Sequence, residues 1–400
     1  MDKGDRPIAC HIRQYHLLLS SLLSFWFVIC VGTPTAAEGI NIGNLELGGA
    51  VRANVLNKSW ETRQRLPQEA VEFDTLRGRL DYERGPWRAS AQYRFYYYVE
   101  IERDTHFLHH AWLGHEAGEN GFVKAGVTQV PFGALPFASN SFFLSLAYYV
   151  GLEDDYDLGV TVQWDEGPWR FDVGYFPQDE GDGFGDSVDS ARYSYDIVAT
   201  DETGNGERHQ GNLRASYALD HAGNASSEVG LSLEYGRVPN DITGHSGDRW
   251  AAAAHYVGNF GRWGVKLETL AYDINPENPG GQSQQLIEMG AYDFPYKVSA
   301  TGNINTAALS YNLPVERSFL QSVTFYNDYS LFFKPKTGFA TSQLNVTGAA
   351  FNFDGPLFVY VDLAVGRNNA WIGPSFGTAF GTGGNDAWHQ RFNINFGLYF

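Results

Sequence analysis

The chain has 400 residues, with 28 Lys and Arg against 46 Asp and Glu, for a formal charge of −18. Such an acidic balance excludes nucleic acid as a partner. A mean hydropathy of −0.30 with 45 Gly, 23 Tyr, 28 Phe and 10 Trp argues against a bundle of membrane-spanning helices. It suits a transmembrane β-barrel, whose lipid-facing and lumen-facing side chains alternate and average out.

The first residues have the pattern of an export signal. Lys3, Arg6 and Arg13 precede an apolar run from Leu17 to Val31, and Gly32-Thr33-Pro34-Thr35-Ala36-Ala37 follows. A basic start, an apolar centre and small residues before a break make a secretory signal, with cleavage expected after Ala37. The run falls short of the ~20 residues of a spanning helix. A lipid anchor on Cys30 is disfavoured by the bulky Ile29 before it. The expected organisation is a signal peptide over 1–37 and one barrel over 38–400. Both cysteines, Cys10 and Cys30, lie in the signal. The remainder therefore folds without disulfides. Three basic and two acidic residues leave with the signal, so 25 basic and 44 acidic ones remain.

Strands follow from a period of two. Leu45, Leu47, Gly49, Val51 and Ala53 alternate with Glu46, Gly48, Ala50 and Arg52. Leu76, Gly78, Leu80 and Tyr82 alternate with Arg77, Arg79, Asp81 and Glu83. The clearest segment runs from Trp87 to Ile101, with Tyr93, Phe95 and Tyr97 on one face and Arg88, Gln92, Arg94 and Tyr96 on the other. Its length exceeds the ~9–11 residues that cross a bilayer. The same alternation holds from Leu158 to Trp164, Trp169 to Tyr175, Val229 to Tyr235, Trp263 to Leu267 and Leu357 to Val365.

Glu83-Arg84-Gly85-Pro86, Asp165-Glu166-Gly167-Pro168 and Asn259-Phe260-Gly261-Arg262 read as short turns. Each is followed by a tryptophan (Trp87, Trp169, Trp263), as suits a membrane-interface girdle. Long polar stretches (Pro177 to Gln210, Asp273 to Gln285, Gly373 to Trp388) read as loops at the opposite end. The final strand places Phe392, Ile394, Phe396, Leu398 and Phe400 on one face and finishes on an aromatic, like the signal read by the barrel-assembly machinery. The expected fold is all-β: a transmembrane antiparallel barrel of about sixteen strands with an inward-folded constriction loop.

Lys124-Ala125-Gly126-Val127 with Pro131-Phe132-Gly133 resembles the phosphate-selective porin O/P family. Asp157-Leu158-Gly159-Val160 and Phe171-Asp172-Val173-Gly174-Tyr175-Phe176 are similar to it too. The resemblance covers Val123 to Phe176. It implies a sixteen-stranded barrel, usually trimeric, that passes small solutes passively. It also implies a loop, here Pro131 to Tyr156, folded into the lumen. No lysine run marks a phosphate site, so "channel" carries over and "phosphate" does not.

A pore's selectivity lies in its lumen charges and narrowest ring. Alternation turns Arg52, Arg77, Arg79, Arg88 and Arg94 inward, with Lys124 nearby, as the pore-lining candidates. The constriction-loop candidates are Phe142, Phe143, Tyr148, Glu153, Asp154 and Asp155. Two readings stand: charges that simply solvate a wet lumen, or a transverse field between an Arg wall and loop acids supplied by Glu153, Asp154, Asp155 and Asp157.

His106, His109, His110 and His115 lack metal-ligand spacing on a strand. The acidic run Asp179 to Gly183, with Asp186 and Asp189, reads as a solvated loop. Calcium, or divalent bridging to lipopolysaccharide, is the alternative there. No Gly-x-Ser-x-Gly, His-Glu-x-x-His or phosphate-loop motif occurs. The expected function is passive diffusion of small hydrophilic solutes, anions among them, across the bacterial outer membrane. It requires no cofactor and no metal. Outer-membrane lipid, lipopolysaccharide and two further copies of the chain are the expected partners. The alternatives are a barrel enzyme of lipase or protease type and a non-conducting structural barrel.

Overall fold

The computed structural model describes residues 39–61, 71–98, 101–181, 189–315, 317 and 319–400. The expected signal peptide lies outside the described residues, as do Val99, Glu100, Asp182, Gly183 and Asp186. The strands are β1 (Ile40–Ile42), β2 (Leu45–Lys58), β3 (Val71–Arg84), β4 (Trp87–Tyr98), β5 (Arg103–Ala117), β6 (Gly121–Gln129), β7 (Tyr156–Glu166) and β8 (Trp169–Asp179). They continue with β9 (Asp196–Ile197), β10 (Arg208–Leu219), β11 (Ala225–Pro239), β12 (Ser246–Phe260), β13 (Trp263–Asn275), β14 (Leu286–Ala291) and β15 (Phe294–Ser299). The last five are β16 (Thr301–Pro314), β17 (Leu320–Phe333), β18 (Ser342–Phe353), β19 (Leu357–Arg367) and β20 (Trp388–Tyr399).

Sixteen of these close into an antiparallel barrel. Chain neighbours pair throughout, with β8 joined to β10 and β13 to β16. The seam runs between β2 and β20, from Ala50 opposite Tyr399 to Lys58 opposite Arg391. Phe400 extends it, exchanging backbone hydrogen bonds with Gly49 at 2.6 and 3.0 Å. The short β1 pairs only with β2, at the turn end. Closure leaves no unpaired strand edge in the hydrocarbon region, where each unsatisfied N–H or C=O costs several kcal/mol.

The faces sort as a period of two dictates. On β11, Val229, Leu231, Leu233 and Tyr235 face outward, Leu231 being 66 % exposed, while Ser232 and Glu234 are buried inside. Apolar side chains out and polar ones in is the reverse of a water-soluble sandwich, and the outer solvent such a surface fits is lipid.

Gly85, Gly167 and Gly261 each take the first position of a two-residue turn with φ near +60°, where a side chain would be strained. Trp87, Trp169 and Trp263 follow those turns and are 44, 43 and 49 % exposed, forming a ring at one rim. The long loops lie at the other rim.

Two details differ from the alternation. The strand read from Trp87 to Ile101 is described as far as Tyr98, and Ile101 lies in a turn before β5. Downstream of the polar stretch ending at Gln285, β14 and β15 form a hairpin that pairs with β9 in a separate three-stranded sheet. It stands apart from the barrel ladder and packs on the segment between β6 and β7.

Leu231 sits at the middle of β11. Replacing Leu231 with Arg is expected to lower stability by about 2–4 kcal/mol, the cost of a cation near the bilayer midplane. Denaturant unfolding from lipid vesicles measures it. No loss would place this face out of lipid.

Candidate functional site

The chain between β6 and β7, residues 130–155, turns into the barrel and crosses its interior. Its bonds to inward-facing wall residues trace the path. Gly133 donates to Ser232 Oγ at 3.0 Å and Ala134 to Glu268 Oε2 at 2.7 Å, while Arg214 Nε donates to the Gly133 carbonyl at 2.9 Å. Lys266 Nζ donates to the carbonyls of Phe137 and Ser139 at 3.1 and 2.7 Å. Asp328 accepts from the backbone of Asn140 and of Ser141, each at 2.7 Å, and from the Asn140 amide at 2.8 Å. Those partners lie on β10, β11, β13 and β17. Wall side chains thus satisfy backbone groups that have no ladder to join.

Glu153 folds the segment on itself. Its carboxylate accepts from the backbone of Ala138 at 2.9 Å, Ser139 Oγ at 3.1 Å and the backbone of Ser145 at 3.0 Å. Burial pushes its carboxyl up, and these hydrogen bonds pull it part of the way back. The returning limb contains a 3₁₀ turn, Tyr148–Val150, closed by Gly151 at φ 69°. The hairpin β14–β15 seats on that turn. Tyr148 and Tyr292 share a hydroxyl hydrogen bond of 2.5 Å, and Tyr296 donates to the Tyr149 carbonyl at 2.7 Å.

What the segment leaves free is a cavity of about 620 Å³ against the wall of β20, β2, β3 and β4. Its basic lining is Arg52, Lys58, Arg77, Arg94 and Arg391, and its acids are Glu72, Asp74 and Asp154. Arg52 is paired with Asp74 at 2.8 Å, and Lys58 with Glu61 at 2.9 Å. Among the described residues, no carboxylate pairs with Arg77, Arg94 or Arg391. Each arginine is instead backed by a ring: Arg52 by Phe142 at 4.9 Å, Arg77 by Tyr399 at 5.8 Å, Arg94 by Tyr193 at 4.4 Å and Arg391 by Phe143 at 5.2 Å. Stacking fixes the guanidinium plane and leaves edge N–H groups free to donate.

The pore-lining candidates divide. Arg52, Arg77 and Arg94 line the cavity. Arg79 lies nearer the turn end, bound to Glu46 at 2.8 Å and Asp81 at 2.7 Å. Arg88 is exposed at the rim beside Glu116 at 3.0 Å. Lys124 rests on the Trp112 ring at 5.5 Å, away from the cavity.

The loop candidates divide as well. Phe142, Phe143, Tyr148 and Asp154 line the cavity. Glu153 is turned into its own loop, and Asp155 is buried among other acids. Of the expected loop acids, only Asp154 lines the cavity with the arginines. Burial raises the Asp154 carboxyl, while a hydrogen bond from Tyr193 and the charge of Arg94 oppose the rise.

Four charged cavity residues escaped the sequence analysis: Lys58, Glu72, Asp74 and Arg391. Arg391 alternates with the outward Phe392 and so faces in, a position legible from the terminal strand. Asp74 is three residues from Arg77, which alternation would put on the other face. A bulge in the β2–β3 ladder beside Arg52 restores it to the lumen. A second bulge, at His109 between β4 and β5, brings His109 and His110 together at 2.7 Å, and the His109 ring lies tilted against that of Tyr193, 4.1 Å between centroids.

No protein-family model matches the chain, and no curated protein matches it. Solved structures do. The outer membrane channel DcaP of Acinetobacter baumannii is 11 % identical with a TM-score of 0.57, over 91 % of this chain and 100 % of that one. OmpT, an outer membrane protein of Vibrio cholerae, is 12 % identical with a TM-score of 0.53 over the same shares. Its trimer form is 14 % identical with a TM-score of 0.51, over 90 and 100 %. This chain has the fold of an outer-membrane barrel. At such identities the likeness speaks for the fold alone, and it does not reach the narrower phosphate-selective family.

Asp328→Ala removes three acceptor contacts to the inserted segment, each worth about 1 kcal/mol. Protease cleavage between residues 137 and 147 is expected to rise on the order of tenfold or more, with the barrel still heat-modifiable on unboiled gels. An unchanged cleavage rate would mean the segment is held elsewhere.

Proposed function

We propose that the chain is a passive diffusion channel of the bacterial outer membrane, admitting small hydrophilic solutes and favouring anions. One observation carries the reading. The inserted segment fills the lumen on the β10–β17 side, and the space it leaves runs along a wall holding Arg77, Arg94 and Arg391, which have no carboxylate partner among the described residues. A guanidinium in a narrow, partly desolvated space attracts an anion far more strongly than one in open water. Its N–H fork suits carboxylate and phosphate oxygens alike. The lining is mostly aromatic otherwise, which adds ring faces for the apolar part of an organic anion.

Residues 1–37 would direct export and be removed after Ala37. Lipid would surround the outward band, with lipopolysaccharide at the loop rim. A homotrimer is proposed on the trimer form of the Vibrio cholerae protein. Passage needs no cofactor and no catalytic group, so the chain is read as a channel and not as an enzyme.

Planar-bilayer recording under a salt gradient tests the reading. Stable conductance steps are expected, with a reversal potential of anion-selective sign. The double variant Arg77→Gln with Arg391→Gln should lower the anion-to-cation permeability ratio a few-fold without loss of folding. A folded barrel that never conducts would overturn the channel and favour an enzyme or an anchor. Cation selectivity in the wild type would overturn the anion preference alone.

A further inference from the structure

Behind the inserted segment, away from the cavity, the structure gathers acids in a buried place. One ligand oxygen each from Asp155, Asp157 and Asp196 lie within 4.8 Å of one another. The three residues are 6, 1 and 2 % exposed. Asp155 ends the inserted segment, Asp157 is the second residue of β7, and Asp196 lies on β9 of the small sheet.

The surrounding cations are already shared. Arg192 is divided among Asp179 at 3.0 Å, Asp196 at 2.9 Å, Asp189 at 2.8 Å and Glu180 at 3.7 Å. Arg249 is divided between Glu207 and Glu234. Neither forms an ion pair with Asp155 or Asp157. Three carboxylates this close, removed from water, repel one another at several times the cost they would meet at a surface.

A buried amide adjoins the same acids. Gln210, on β10, is 3 % exposed, and its Nε2 donates to Asp157 Oδ2 at 3.3 Å. Its Oε1 has no donor, and neither Asp155 Oδ1 nor Asp157 Oδ1 has one. A buried amide oxygen and two buried carboxylate oxygens, all lacking donors, need an electropositive partner.

We infer that Asp155, Asp157, Asp196 and the Gln210 amide form a binding site for a divalent cation, calcium in the first instance. The donors are all oxygen, which suits a hard cation and not zinc or copper. Magnesium holds its own water tightly and demands near-octahedral geometry, whereas calcium accepts an irregular set of carboxylate and amide oxygens. The bound ion joins three pieces of chain: the end of the inserted segment, the barrel wall at β7 and β10, and the sheet of β9, β14 and β15. It would hold the segment in place from behind, whatever solute the cavity takes.

The test uses the full-length folded barrel in detergent, stripped with EDTA and titrated with CaCl₂ alone by isothermal calorimetry. Uptake of one saturable Ca²⁺ per chain is expected, and a higher temperature for heat-modification on gels with calcium than with EDTA. Asp157→Asn and Asp155→Asn, each checked for folding on unboiled gels, should weaken binding about tenfold or more through the lost ligand charge. Glu119→Gln, at an exposed turn, should leave it unchanged. Absence of saturable uptake by the wild type overturns the site. So does uptake untouched by both Asp variants or lost equally in Glu119→Gln, since the ion would then sit on surface acids. If a variant fails to fold, the wild-type comparison of calcium with EDTA still decides.

Discussion

Everything in this molecule depends on satisfying backbone hydrogen bonds where no water is available. A sheet in hydrocarbon can have no edge, so the last strand must find the first. The β2–β20 seam meets that demand over nine residue pairs, and Phe400 carries it to the final residue. Alternation then does the rest. A closed sheet has one outer and one inner face, and every second residue is assigned to each. That is why Leu231 and Glu234, three positions apart, live in opposite solvents.

The same accounting governs the interior. A chain segment that leaves the ladder and enters the lumen brings bare N–H and C=O groups with it, and they must be met by wall side chains. Ser232, Glu268, Lys266 and Asp328 meet them from three strands around the barrel. The segment's path is therefore fixed by which inward positions carry short polar or charged groups. β2, β3, β4 and β20 contribute long arginines instead, backed by aromatic rings. The cavity is what remains on that side. Its position thus follows from where the wall offers partners for a backbone and where it offers cations to a solute.

This explains which parts were legible in the sequence. The barrel, its strand directions, its short turns and the inward-facing Arg52, Arg77 and Arg94 follow from a local period of two. The inserted segment, Pro131 to Tyr156, was expected from the family resemblance and not from any period. Two kinds of feature break the period and could not be read. A bulge adds one residue and reverses the faces beyond it, which hid Asp74 and brought His109 against His110. A loop has no period, so nothing local told that Asp154 faces the cavity while Glu153 and Asp155 on either side turn away. The β14–β15 hairpin was hidden for a related reason: its strands are only six residues each, within a stretch flanked by polar loop sequence. Arg391 is a different case. Its face was legible, and the terminal aromatics drew the reading away from it.

Net charge is the least informative property of this chain, and the structure shows why. The acids outnumber the bases strongly, yet the cavity lining carries more basic than acidic side chains. Many of the acids are spent on structure, as acceptors for the inserted backbone at Glu153, Glu268 and Asp328. Others are gathered behind it, around Asp155, Asp157 and Asp196. Burial and repulsion from Asp196, Glu207 and Glu234 push the Asp155 carboxyl well above the ordinary range. Such a cluster is costly unless a proton or a cation compensates it. A field falls off within about 8–10 Å in salt water but reaches further through a low-dielectric interior. The potential felt by a solute is therefore set by the few charges that face it. Around the cavity five basic groups outnumber three acids, so an acidic protein can hold a basic cavity.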